Sequence, residues 1–281
     1  ADVYNRHDKG FEMTVDLSIS NPYLPMSVLV DTIESVRLQL PSPYFWGMVD
    51  NVISKDSCYY ISDRKQEMAF RFSKNGTFLN AIGQRGEGPG EYREMDSFFV
   101  GKDCVYVCDM SKRTIYSYSF DGKFLHSLSF PYSLVFNDVV ELPDGRFLCH
   151  RPSQSENCKG LWILDQKGRR VKNLLEYEKG TPCKNSYWNT LCAQEDGTIK
   201  IYNPVDGSYY QYDAVNDTVV RTMRQKSNLP MLADFHCSDR ELYETKEECT
   251  YGLFTVDGKN LVFSLWSFNS ANKGMWSVYF N

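Results

Sequence analysis

Thr114-Ile115-Tyr116-Ser117-Tyr118-Ser119-Phe120-Asp121-Gly122-Lys123-Phe124-Leu125 joins two apolar runs through an Asp-Gly turn. Asp-Gly supplies the positive φ of a tight hairpin, so the stretch reads as two antiparallel strands. Met68-Ala69-Phe70-Arg71-Phe72-Ser73-Lys74-Asn75-Gly76-Thr77-Phe78-Leu79 stands 46 residues upstream, and Gly160-Leu161-Trp162-Ile163-Leu164-Asp165-Gln166-Lys167-Gly168-Arg169-Arg170-Val171 stands 46 residues downstream. A further strand precedes the first two copies at the same offset, Tyr59-Tyr60-Ile61-Ser62-Asp63 and Val105-Tyr106-Val107-Cys108-Asp109. A weaker copy runs from Ser208 to Val219, and another begins at Met275.

Each unit contains four short strands joined by Gly- and Asp-rich turns. A four-stranded meander repeating every 40–50 residues is a propeller blade. The expected fold is all-β, a β-propeller of four-stranded antiparallel blades. About five are visible, near residues 47–83, 94–130, 133–177, 187–225 and 246–281. Residues 1–29 read as an N-terminal extension and 30–281 as the propeller domain. Val36-Arg37-Leu38-Gln39-Leu40 alternates like a strand that closes the last sheet. The ring reads as incomplete at Asn281 on this count. A lone four-stranded sheet cannot bury both faces, so blades must pack on one another. Phe70 with Phe72, Tyr116 with Tyr118, and Trp162 with Leu164 are expected to fill the wedges between them.

Composition agrees with this. The 281 residues are 42% hydrophobic, 24% charged and 15% aromatic, which suits a folded chain rich in pleated surfaces. The net charge of -5 and the lack of a basic tract argue against nucleic acid, and no stretch is long and apolar enough for a membrane-spanning helix. Nine cysteines without a CxxC pattern read mostly as buried thiols, with Cys149–Cys158 the pair to test for a bridge.

Between the first two units lies Gly83-Gln84-Arg85-Gly86-Glu87-Gly88-Pro89-Gly90-Glu91-Tyr92. No Lys-Ser/Thr follows it, so it reads as a tight crossover, with Arg85 paired to Glu87 or Glu91, rather than a phosphate loop. This run, after Tyr60-Ile61-Ser62-Asp63 and Phe72–Leu79, resembles the six-bladed β-propeller proteins common in Bacteroides and relatives. Those are related in repeat style to NHL-repeat propellers. The resemblance implies a six-bladed ring in an envelope protein of the periplasm or cell surface, lipid-anchored in some members, with no assigned activity.

Chemical signatures are sparse. Neither HxH, HExxH nor a Gly-x-Ser-x-Gly elbow occurs, and no catalytic residue, metal ligand or cofactor is assigned. Asp63 and Asp109 recur at one repeat position, which fits local turn hydrogen bonding at least as well as calcium. Aromatic residues outside the repeat register, Tyr44, Trp46, Tyr187 and Trp188, are the candidate ligand-binding set, since flat rings beside polar groups suit sugars. The expected function is non-catalytic binding or scaffolding, with a glycan, peptide or envelope protein held at one rim. The alternative is a lyase or hydrolase at the channel mouth, drawing on His150, Arg151, Asp234 and His236.

Overall fold

The computed structural model of the chain describes residues 10–15, 27, 32–152, 160–176, 190–194, 196–203, 206–228, 230, 249–257, 260–268 and 275–280. A first strand, β1 (Phe11–Val15), precedes four meanders. The first comprises β2 (Val49–Lys55), β3 (Cys58–Asp63), β4 (Met68–Ser73) and β5 (Phe78–Ile82). The second comprises β6 (Ser97–Val100), β7 (Val105–Asp109), β8 (Thr114–Tyr118) and β9 (Phe124–Ser129). The third is β10 (Asp138–Glu141), β11 (Phe147–Arg151), β12 (Gly160–Leu164) and β13 (Arg170–Leu175). The fourth is β14 (Leu191–Ala193), β15 (Ile199–Asn203), β16 (Ser208–Asp213) and β17 (Thr218–Ser227). A three-stranded sheet follows, β18 (Cys249–Asp257), β19 (Asn260–Phe268) and β20 (Met275–Phe280).

Within every meander the strands lie in sequence order, and β1 adds a parallel fifth strand to the edge of β17. The opening strands β2, β6, β10 and β14 border one another in turn. They line a common axis, which is the propeller arrangement. Among the described residues the count is four such blades and one three-stranded sheet, not six blades. The segment read as an N-terminal extension contributes β1.

Turn chemistry drives the repeat. Gly76, Gly122 and Gly168 occupy the same hairpin position with φ between 75° and 88°. In the fourth blade Asp217 takes that place at φ 52°. Alternation then sends one face of each sheet toward each neighbour. Tyr116 and Tyr118 pack against Tyr60, Ala69 and Ile82 of the first blade. Trp162 and Leu164 pack against Tyr106, Cys108 and Ile115 of the second. Leu148, Leu161 and Ile163 meet Ile199, Ile201 and Tyr210 of the fourth. All six wedge residues expected from the sequence are buried.

Phe70 and Phe72 are the exception in what covers them. With Ile61 they pack beneath Leu38, Leu40 and Tyr44 rather than beneath another blade. Val36–Leu40 forms no strand among the described residues, contrary to the sequence expectation. Its position explains the alternation nonetheless. Gly122 abuts the Ala81 carbonyl of β5, Gly168 abuts the Ser129 carbonyl of β9, and Gly76 abuts the Arg37 carbonyl. Residue 37 stands where a preceding blade's outermost strand would stand, with its side chains packed but its backbone outside any ladder. The expected Cys149–Cys158 bridge is corrected as well. Cys149 is a free thiol buried in the wedge with Trp162, and Cys158 lies outside the described residues.

Candidate functional site

The long connections gather at the end where the opening strands begin, here called the entry end. Its order rests on two carboxylates. Asp63, at the end of β3, accepts from Gly47 N at 2.6 Å, Met48 N at 3.1 Å, Lys65 N at 3.0 Å and Gln66 N at 3.0 Å. Burial pushes its carboxyl up, but the N–H donors outweigh that and hold it below its ordinary value. Asp109, one blade on, accepts from Arg93 N at 2.7 Å, Lys112 N at 2.8 Å and Ser111 Oγ at 2.6 Å. Both tie a crossover to the turn beside it. All these donors are backbone or hydroxyl groups of the chain, the bonding that local turns make.

The glycine-rich crossover is likewise satisfied from within. Tyr92 Oη donates to the Glu67 carbonyl at 2.7 Å and Tyr118 Oη to the Gly90 carbonyl at 2.8 Å. Lys112 Nζ donates to the carbonyls of Gly86 and Glu91, both at 3.1 Å. Glu87 pairs with Arg93 at 3.0 Å and Lys112 at 3.3 Å, in place of the expected Arg85. Glu91 turns inward to Gly88 N at 2.7 Å and to Gln84.

Between the third and fourth blades sits a buried polar chain. His150 Nδ1 lies 2.6 Å from Thr190 Oγ1, which lies 3.5 Å from Asp138 Oδ2. Leu191 N and Val139 N each donate to the same carboxylate at 2.9 Å. Burial lowers His150 to about 3 and raises Asp138 to about 6. All three side chains are buried, so the chain bolts two blades together and offers no face to a substrate. Of the other residues named for an enzyme, Asp234 and His236 lie outside the described residues. Among the described residues, no three His, Cys, Asp or Glu side chains are grouped to hold a metal ion.

The structure separates the aromatic set. Tyr44 is half-buried, edge-on to Phe70 at 5.3 Å. Trp46 stacks on Phe72 at 5.9 Å and keeps 36% of its surface exposed. Tyr187 and Trp188 lie outside the described residues. Two exposed side chains beside Trp46, Phe45 at 57% and Met48 at 50%, escape a reading based on repeat register. So does Tyr132, 75% exposed on the connection between β9 and β10. Its signal is the Pro131-Tyr132 pair between two core phenylalanines, Phe130 and Phe136.

Comparison with solved structures agrees with the fold. A presumed exported protein from Bacteroides fragilis is similar at 18% identity and a TM-score of 0.69, over 95% of this chain and 80% of that one. A DUF4221-family protein from Bacteroides vulgatus shares 10% identity at a TM-score of 0.46, over 87% and 84%. Virginiamycin B lyase from Staphylococcus aureus shares 9% at 0.45, over 82% and 69%. No curated protein matches the sequence. The model of one protein family, described as a domain of unknown function, DUF4934, matches residues 12–279, and the chain belongs to that family.

Proposed function

We propose that this chain is a non-catalytic, extracytoplasmic binding or scaffold propeller that recognises a glycan, peptide or protein partner through its entry end. One observation carries the reading. Asp63 fixes the backbone of residues 47 and 48 while Phe45, Trp46 and Met48 stay in solvent. A rigid loop that presents apolar side chains loses little freedom on binding, which is how recognition surfaces are preorganised. Trp46 also leans on Phe70 and Phe72, so its ring is held in place for a partner. Tyr44 supports it from below, and Tyr187 and Trp188 extend the surface in this reading. The resemblance to envelope propellers supports a six-bladed ring outside the cytoplasm.

The test is binding of the full chain to glycan and peptide arrays, compared with Phe45→Ser and Met48→Ser. Both residues are exposed, so melting should be unchanged. Binding lost in the variants supports the reading, and binding equal to the parent chain's overturns it.

A further inference from the structure

Blade-to-blade equivalence exposes two polar atoms that have lost their partners. Glu67 and Arg113 are equivalent, each the last turn residue before the third strand of its blade, with φ 54° and 53°. Each carbonyl anchors the following crossover, Glu67 by Tyr92 Oη at 2.7 Å and Arg113 by Phe130 N at 2.9 Å. The Glu67 carboxylate accepts from Met95 N at 2.5 Å. Arg113 cannot accept. Its Nε is buried without a hydrogen bond, and no carboxylate pairs with its guanidinium among the described residues.

The second pair is Asp96 and Asn137. Asp96 N donates to the Cys108 carbonyl at 3.0 Å, and Asn137 N to the His150 carbonyl at 2.9 Å. Asp96 Oδ2 accepts from Met110 N at 2.7 Å. The residue equivalent to Met110 is Pro152, which has no N–H. Asn137 Oδ1 is therefore buried with no partner. The second and third blades thus carry, at their shared entry-end boundary, an unpaired cation and an unused acceptor. Desolvating either without compensation is costly.

Over Arg113 lies Tyr132, its ring centroid 5.6 Å from the guanidinium carbon. Tyr132 is held rigidly. Phe130 and Phe136 are buried on either side of it, 5.1 Å apart, and Leu134 N closes a turn on Pro131 O at 2.9 Å. One ring face covers the cation, and the side chain is otherwise 75% exposed.

We infer that Tyr132, Arg113 and Asn137 form a binding subsite for an acidic sugar, a pyranose bearing a carboxylate. The open ring face takes the C–H face of the sugar, the guanidinium takes the carboxylate, and Asn137 Oδ1 accepts a hydroxyl proton. An aromatic platform beside a cation and a neutral acceptor matches a polyhydroxylated acid better than a flexible acidic peptide, which has no rigid face to stack. The inference rests on the reading of the entry end as a binding surface.

Calorimetric titration of the full chain with tetragalacturonate, and with its uncharged methyl-esterified counterpart, tests it. Saturable binding is expected, at least about tenfold weaker for the ester and weakened by salt. Tyr132→Ala should bind at least about tenfold more weakly with unchanged melting. Arg113→Gln should erase the difference between acid and ester, and Arg113→Lys should keep it with reduced affinity. No saturable binding, equal binding of acid and ester, or displacement by tetra-aspartate at equal concentration would overturn the assignment. If Phe45→Ser leaves array binding intact while tetragalacturonate still binds as expected, only the Phe45 surface fails. The reverse pattern faults only this subsite.

Discussion

His150 and Asp138 carry shifts of opposite sign, and their consequences for stability separate with pH. His150 is lowered from 6.5 to about 3, so its contribution is complete above pH 6.5 and is lost as pH falls toward 3. Asp138 is raised from 3.8 to about 6, so its contribution is complete below 3.8 and is lost as pH rises through 6. On acidification between those limits the two oppose each other. Asp138→Asn leaves the histidine alone, and the protein should lose on the order of 2 kcal/mol more than the parent between about pH 7 and 4.5. His150→Gln should invert the sign. Urea midpoints at the two pH values check both. Core size is tested at the same scale. Trp162→Ala, between two sheets, should cost near the top of about 3–5 kcal/mol. Phe72→Ala, covered partly by the segment of Leu38 and Leu40, should fall near the bottom because that cover can settle inward. Equal losses in denaturant titration would mean that residues 38–46 are as rigid as a blade.

At the scale of elements, the glycine-rich crossover divides by position. Gly90 has φ 76°, and a Cβ there would stand 2.5 Å from the Phe124 ring. Gly88 has no positive φ, and a Cβ would meet only the flexible Glu91 carboxylate at 3.0 Å. Gly90→Val should therefore lower the melting temperature well beyond Gly88→Ala, and equal effects would show that the crossover yields as a whole. The hairpin glycines and the alternating aromatics made the blades legible in sequence, because each records a local backbone demand. Val36–Leu40 shows the limit of that logic. Alternation reports that Leu38 and Leu40 face one way, and a strand without a ladder partner gives the same pattern. The site was legible only in part. Trp46 stood out by lying outside the repeat, whereas Tyr132 was hidden because its exposure depends on the burial of Phe130 and Phe136. Arg113 and Asn137 become visible only when one blade's hydrogen bonds are laid over the next.

Across the whole molecule, the first blade differs from its neighbours. Val49 and Val52 of β2 are 50% and 57% exposed, whereas β6 and β10 are largely buried. Residues 36–40 stand in the place of an outer strand without ladder bonds. Their amides should exchange with solvent at least about a hundredfold faster than those of β3, despite the packing of Leu38 and Leu40. Slow exchange there would reveal a strand partner and restore the closing-strand reading.

The two anchors of the leading segment have a mechanical meaning. Phe11–Val15 is stitched to the edge of the fourth blade, and Leu38 and Leu40 are seated on the first. The covalent chain between them fastens one to the other as a buckle fastens a belt. A single peptide-bond cut between residues 16 and 31 would leave every packed side chain in place, yet it would release that fastening. The nicked molecule would resist heat much as before and yield sooner when its first and fourth blades are pulled apart.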